Sequence, residues 1–273
     1  MRWGSQRESG NVEDRRGMGG LAVGGGGLGI LVIALAVWLC GGDPMQLLEN
    51  LPNQTAPQQQ QQQQQPAQQN AQDNQEKFAR LVLGSTEDVW GQILPQQARV
   101  RYVEPKLVLF SGQTNSSCGG ASASMGPFYC PGDQKLYLDF AFFNELEREF
   151  RAPGDFAQAY VIAHEVAHHV QNLLGTMARV ERQSNRDSVA LELQADCFAG
   201  VWGFYAQQKG LVEAGDAEEA IRAAAAVGDD MIQKRTQGVV VPESFTHGSA
   251  RERMTWFSKG FQTGDIKQCQ TFR

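Results

Sequence analysis

The segment His164-Glu165-Val166-Ala167-His168, with Glu192-Leu193-Gln194-Ala195-Asp196 beginning 24 residues after His168, constrains this chain more than any other part of it. An α-helix turns once every 3.6 residues, so His164 and His168 project from one face a single turn apart. Two imidazoles at that spacing can share one tetrahedral ion, with Glu165 beside the position left open for water. A third protein ligand is needed, and Glu192 is the candidate. Asp196, one turn along the same face of a second helix, is placed to accept the remote N–H of a ligand histidine and fix its tautomer. The fold must therefore bring two helices together with these faces turned inward.

The flanking residues favour this reading over solvated helix faces. The apolar run Ala159 to Ala163 buries the first helix, and buried imidazoles need partners. Leu191, Leu193, Ala195, Cys197 and Phe198 make the second helix too apolar for its acids to be freely exposed, so they need a cation. A third histidine ligand six residues beyond His168 is absent, because Gln171 and Leu174 stand where Gly and His would be required. His169 lies about 100° around the helix from His168 and is expected behind the ligands or exposed. His247, in Ser244-Phe245-Thr246-His247-Gly248, is a candidate donor to a transition-state oxyanion. The alternative for His247 is a turn residue capping the next helix. Tyr160 is a weaker candidate for the same donor role and otherwise a core residue. Asp229-Asp230 could hold a second cation, although paired acids in a turn more often face solvent or cap a helix.

The N-terminal part reads differently. Residues 19–40 carry no charged side chain. A helix of that length rises about 33 Å, enough for a hydrocarbon core of about 30 Å. Arg2, Arg7, Arg15 and Arg16 precede it, and the first charge beyond it is Asp43. The positive-inside bias predicts a cytoplasmic tail over 1–18, one transmembrane helix over 19–40 in the cell (inner) membrane, and an extracytoplasmic, periplasmic domain beyond. A cleaved signal peptide ending near Ala34-Leu35-Ala36 is disfavoured by the glycine-rich lead-in, and a lipid at Cys40 by Trp38-Leu39. Residues 41–75, with eight consecutive glutamines from Gln58 to Gln65, predict a disordered linker. The folded domain then spans 76–273. A net charge of −6 without a basic stripe argues against nucleic acid as a partner. Nothing in the chain indicates an oligomeric state.

Within the domain, periodicity predicts a helix over 76–94 interrupted near Gly84-Ser85, a buried strand over 107–110, and loop from Ser111 to Asp133. A strand over 135–140 and a short helix over 142–150 follow. The first half-motif falls on a helix over 155–174 stopped by Gly175, and the second on a helix over 188–208. Helices over 217–226 and 251–259, the last closed by Gly260, complete an α+β fold that is mainly helical with a small sheet.

The runs CGGASASMGPFYCPGDQKLYLD, AYVIAHEVAHHVQNLLG, ELQADCFAGVW, GDD and PESFTHGSARERMTWFSKGF resemble, in that order, the bacterial neutral zinc metallopeptidase family, over nearly all of 76–273. The resemblance implies a zincin-like, gluzincin-type core with an N-terminal anchor, His164, His168 and Glu192 as Zn2+ ligands, and Glu165 as general base. The Thr-His-Gly stretch is similar to the Thr-His-Pro stretch of membrane-associated gluzincins, which supports His247 near the site. Ala167 stands where glycine is often seen. The activity expected is hydrolysis of peptide bonds in a peptide or protein substrate, aligned by an edge strand at 135–140. The alternative is a catalytically silent zincin scaffold that binds envelope proteins. Two disulfides are expected, Cys118–Cys130 and Cys197–Cys269, the first contributing about 3 kcal/mol by restricting the unfolded chain. Buried reduced cysteines are the alternative.

Overall fold

The computed structural model describes residues 1–4, 6–17, 65–180 and 184–272. The transmembrane helix expected over 19–40 and residues 41–64 of the linker expected over 41–75 lie outside the described residues. Among the described residues, no helix is long and apolar enough to cross a membrane.

Helix α1 (Gln65–Ala98) begins within the expected linker and runs unbroken through Gly84-Ser85. Both differences from expectation have a physical reason. Glutamine and alanine are good helix formers, so a segment too polar to form a core can still extend a helix that is anchored further on. Gly84 is no break, because the chain near Arg7 packs directly on it. A Cβ at Gly84 would lie 2.3 Å from the Arg7 carbonyl oxygen. Val82, Leu83, Val89, Trp90 and Ile93 turn the other face of α1 into the core.

The main sheet has the order β1 (Val12–Asp14), β2 (Lys106–Leu109), β6 (Lys135–Leu138), β5 (Phe128–Cys130). The first three strands are parallel and β5 is antiparallel to β6. Two expectations change here. The segment 111–133 holds not only loop but also the hairpin β3 (Gln113–Ser116) and β4 (Gly119–Ser122), followed by β5. Glycine and serine carry little strand propensity, so this pairing comes from the partner strands and from the Cys118–Cys130 disulfide. Strand β6 lies between β2 and β5, so the segment expected to be an open edge is central, and among the described residues the edge strands of this sheet are β1 and β5. The described part of the stretch 1–18, expected as a cytoplasmic tail, instead supplies β1 and lies along α1.

The helical side is built from α2 (Ala141–Arg148), α3 (Asp155–Leu173), α4 (Thr176–Arg179), α5 (Asn185–Gln208), α6 (Asp216–Ala226), α7 (Asp229–Thr236) and α8 (Ala250–Thr263). Ser184 caps α5, and Ser249 with Glu252 forms a capping box on α8. Helix α8 does not stop at Gly260 but continues to Gly264, whose φ of 61° ends it. Gly260 instead lets α8 press against α5, since a Cβ there would meet the Cys197 carbonyl oxygen at 1.9 Å. The Cys197–Cys269 disulfide ties the C-terminal segment to α5. The mixed, mostly helical class with a small sheet agrees with expectation.

Candidate metal centre

Helices α3 and α5 bring both half-motifs face to face. His164 Nε2 lies 3.1 Å from Glu192 Oε2, and His168 Nε2 lies 3.4 Å from Glu192 Oε1. All three side chains offer a ligand atom within 4.8 Å of the others. Ligands held 2.0–2.1 Å from a tetrahedral ion sit about 3.3–3.4 Å apart, so the donors fit zinc in type and spacing. Both imidazoles are buried and Glu192 is largely so. Burial alone would lower the histidine pKa values. The carboxylates of Asp196 and Glu192 overcome it at His164, and Glu192 overcomes it at His168, so both are raised. Burial pushes Glu192 up, but the two histidines hold it well below the usual carboxylate range. The three groups thus form a matched set of negative and positive partners, in which a divalent cation would take the place of the imidazole protons.

The groups behind the ligands decide their orientation. Asp196 Oδ1 is 3.0 Å from His164 Nδ1, although off the axis of the ring N–H, so this is a charge contact rather than an aligned hydrogen bond. The Tyr160 hydroxyl donates to Asp196 Oδ1 at 2.5 Å, and Arg253 donates to both Asp196 oxygens, from Nε at 2.8 Å and from Nη2 at 3.0 Å. The Tyr160 hydroxyl is therefore engaged by Asp196 and Arg253. Sequence reasoning missed Arg253, although a signal was present. Arg253 shares the buried stripe of α8 with Ala250, Phe257 and Gly260, and a charge in such a stripe needs a partner. Gln171 was missed as well. Its Nε2 donates to the Leu191 carbonyl at 2.7 Å and to Gln194 Oε1 at 3.1 Å, which turns Oε1 towards His168 Nδ1 at 2.9 Å. That network assigns the His168 proton to Nδ1 and leaves Nε2 free to ligate.

His169 is neither a ligand nor exposed. Its Nε2 donates to the Val103 carbonyl at 2.7 Å, so Nδ1 accepts from the Tyr129 hydroxyl at 3.0 Å, and burial lowers its pKa. Asn172 Nδ2 donates to the same hydroxyl, which ties β5 to α3.

Glu165 is buried beside these three candidate ligands, and burial raises its pKa against the opposing pull of His168 and His164. His247 is half-exposed and shares with His164, Glu165 and Glu192 a cleft of about 590 Å³. Asp229 Oδ1 is 3.2 Å from His247 Nδ1, while Oδ2 accepts the backbone N–H of Thr246, His247 and Gly248. The Asp229 hydrogen bond raises the His247 pKa against burial. His247 does not cap α8, since Ser249 does, and Asp229 orients His247 instead of facing solvent. The rest of the cleft includes the apolar side chains of Phe142, Phe150, Met177, Leu191 and Ile232. In a second acidic cluster, Asp155, Asp216 and Glu219, the first two pair with the Met1 amine, at 2.9 and 3.3 Å.

Comparison with known proteins agrees with this chemistry. The family described as "Putative neutral zinc metallopeptidase" matches residues 1–272. The "Uncharacterized protein YpfJ" of Escherichia coli (strain K12) is 46% identical over 287 aligned positions, covering 100% of this chain and 99% of the relative. The "Uncharacterized protein Rv2575" of Mycobacterium tuberculosis (strain H37Rv) is also 46% identical, over 69% of this chain and 67% of the relative. No solved structure matches.

Proposed function

The chain belongs to the neutral zinc metallopeptidase family, and we propose that it is a zinc-dependent peptidase, with Glu165 as general base, acting on peptide or protein substrates. The observation that carries this reading is the convergence of His164 Nε2, His168 Nε2 and the Glu192 carboxylate beside a buried Glu165, inside an open cleft. Those three residues would hold the ion. Zinc bound there would lower the pKa of water towards about 7 and polarise a substrate carbonyl.

The remaining steps belong to the chain's own side chains. Glu165, its proton affinity raised by burial, takes the proton of the attacking water and delivers it to the leaving amine. His247, steadied through Nδ1 by Asp229, presents its other nitrogen as a donor to the carbonyl oxygen as negative charge develops. The free edge of β5 aligns an extended substrate by backbone pairing. The apolar lining around Phe142, Phe150 and Ile232 favours a bulky apolar side chain near the bond to be cut. The two disulfides support an oxidising compartment outside the cytoplasm as part of the same proposal.

The test is Glu165→Gln. Zinc content measured by mass spectrometry should stay at one ion per chain, while cleavage of a mixed peptide library falls roughly 10²–10⁴-fold. A wild-type protein that holds zinc and cuts nothing in the library would favour the scaffold reading. Undiminished cleavage by the variant would refute Glu165 as base.

A further inference from the structure

We propose that residues 1–17 are a built-in part of the metal-binding domain, so that this segment and the metal centre lie on the same side of any membrane the chain meets. The proposal is independent of the peptidase reading, because it rests on contacts remote from the ligands.

The backbone is engaged along the segment. Arg2 N–H donates to the Leu211 carbonyl, Ser9 N–H to the Arg80 carbonyl, and Arg15 N–H to the Leu109 carbonyl, at 2.8–2.9 Å. Between Ser9 and Arg15, β1 pairs in parallel with β2, with Val12, Glu13 and Asp14 opposite Leu107, Val108 and Leu109.

The receiving surface is shaped for this occupant. Glu87 of α1 has a fully buried side chain, and among the described residues its hydrogen-bond donors come from the segment. Arg7 Nη2 reaches Oε2 at 2.7 Å, while Ser9 Oγ and Asn11 Nδ2 reach Oε1 at 2.6 and 2.9 Å. A buried carboxylate without these partners would be strongly unfavourable. Gly84 removes the side chain that would collide with the Arg7 carbonyl oxygen. Further along, Lys135 donates to Glu13 at 2.9 Å, Arg16 pairs with Glu76, and the Arg16 guanidinium stacks over Phe140. Trp3 packs edge-on against Phe78.

One crossing of a membrane between residues 17 and 65 would pull these partners apart. No crossing, or an even number, keeps them together. The cytoplasmic tail expected from its arginines is therefore replaced, in this proposal, by a segment that stays with the domain. The arginines that suggest a cytoplasmic anchor are engaged instead with Glu87, Glu13, Asp14 and Glu76.

The test uses the full chain with Cys40→Ser as background, carrying either Gly10→Cys in the segment or Lys209→Cys at the end of α5. Both positions are exposed, and a side chain at Gly10 meets open space. A membrane-impermeant maleimide is applied to intact spheroplasts and again after lysis. The two cysteines should label alike under both conditions. Labelling of one before lysis and of the other only after it would overturn the proposal. A second measurement reads the contact itself. In purified full-length protein, Arg7→Ala and Glu87→Gln should each lower Tm by several degrees, with little further loss when combined. A fully additive loss would mean that the two residues do not meet, and would also overturn it.

Discussion

The two oxygens of Asp196 serve His164, Tyr160 and Arg253 together, and this shows what could and could not be read one residue at a time. That Asp196 lies near the ligands follows from its four-residue spacing after Glu192. Its main partner arrives from α8, 57 residues further on, and no local spacing announces it. Asp196→Asn keeps the shape but removes the charge that steadies His164 and compensates Arg253. Zinc affinity, measured by chelator competition, should fall roughly 10–100-fold. Leaving Arg253 buried without its carboxylate should cost about 3–5 kcal/mol in denaturant unfolding. A variant with unchanged affinity and stability would show that Asp196 does neither job. His247 lends itself to a pH test. Asp229 raises its pKa, so the protonated donor persists to higher pH than it would in an ordinary histidine. In kcat/KM profiles the high-pH limb assigned to this donor should move to lower pH in Asp229→Asn. A limb that stays in place would remove His247 from catalysis.

Among the secondary-structure elements, the helices carrying the ligands were legible because their apolar period and their stop signals are local. The strands between Ser111 and Asp133 were not, because each is only three or four residues long and rich in residues that do not favour strands. Their existence depends on partners and on the Cys118–Cys130 closure. The position of β6 was hidden for a related reason, since a sequence shows which residues can form a strand but not which strands flank it. Gly260 reads locally as a helix stop, yet it is the point where α8 touches α5 backbone to backbone. Gly260→Ala should therefore destabilise the protein by about 3 kcal/mol or more in thermal or denaturant unfolding, the upper range for overpacking, because the obstacle is a carbonyl that cannot turn aside. A neutral effect would mean that the two helices separate at little cost.

For the whole molecule, the N-terminal segment changes how the chain divides. A boundary drawn at residue 76 separates the domain from a strand of its own sheet and from the partners of Glu87. Deleting residues 1–17 should lower Tm by roughly 10 °C, taking a loss of about 3 kcal/mol and a few degrees per kcal/mol for a domain of this size. An unchanged Tm would show that the segment rests on the surface without contributing to stability. The sequence by itself brought forward His164, His168, Glu192 and Glu165 as the candidate metal site, the family resemblance, and the two helices that carry these residues, because the half-motifs and their apolar flanks are local patterns. Both disulfide pairings were also anticipated. Only the tertiary structure decided that Arg253 and Gln171 pack behind the candidate site, that β5 rather than β6 is an edge strand, and that Val12–Asp14 adds a strand to the sheet. Those arrangements depend on which elements pack against one another, and local pattern does not name the partner.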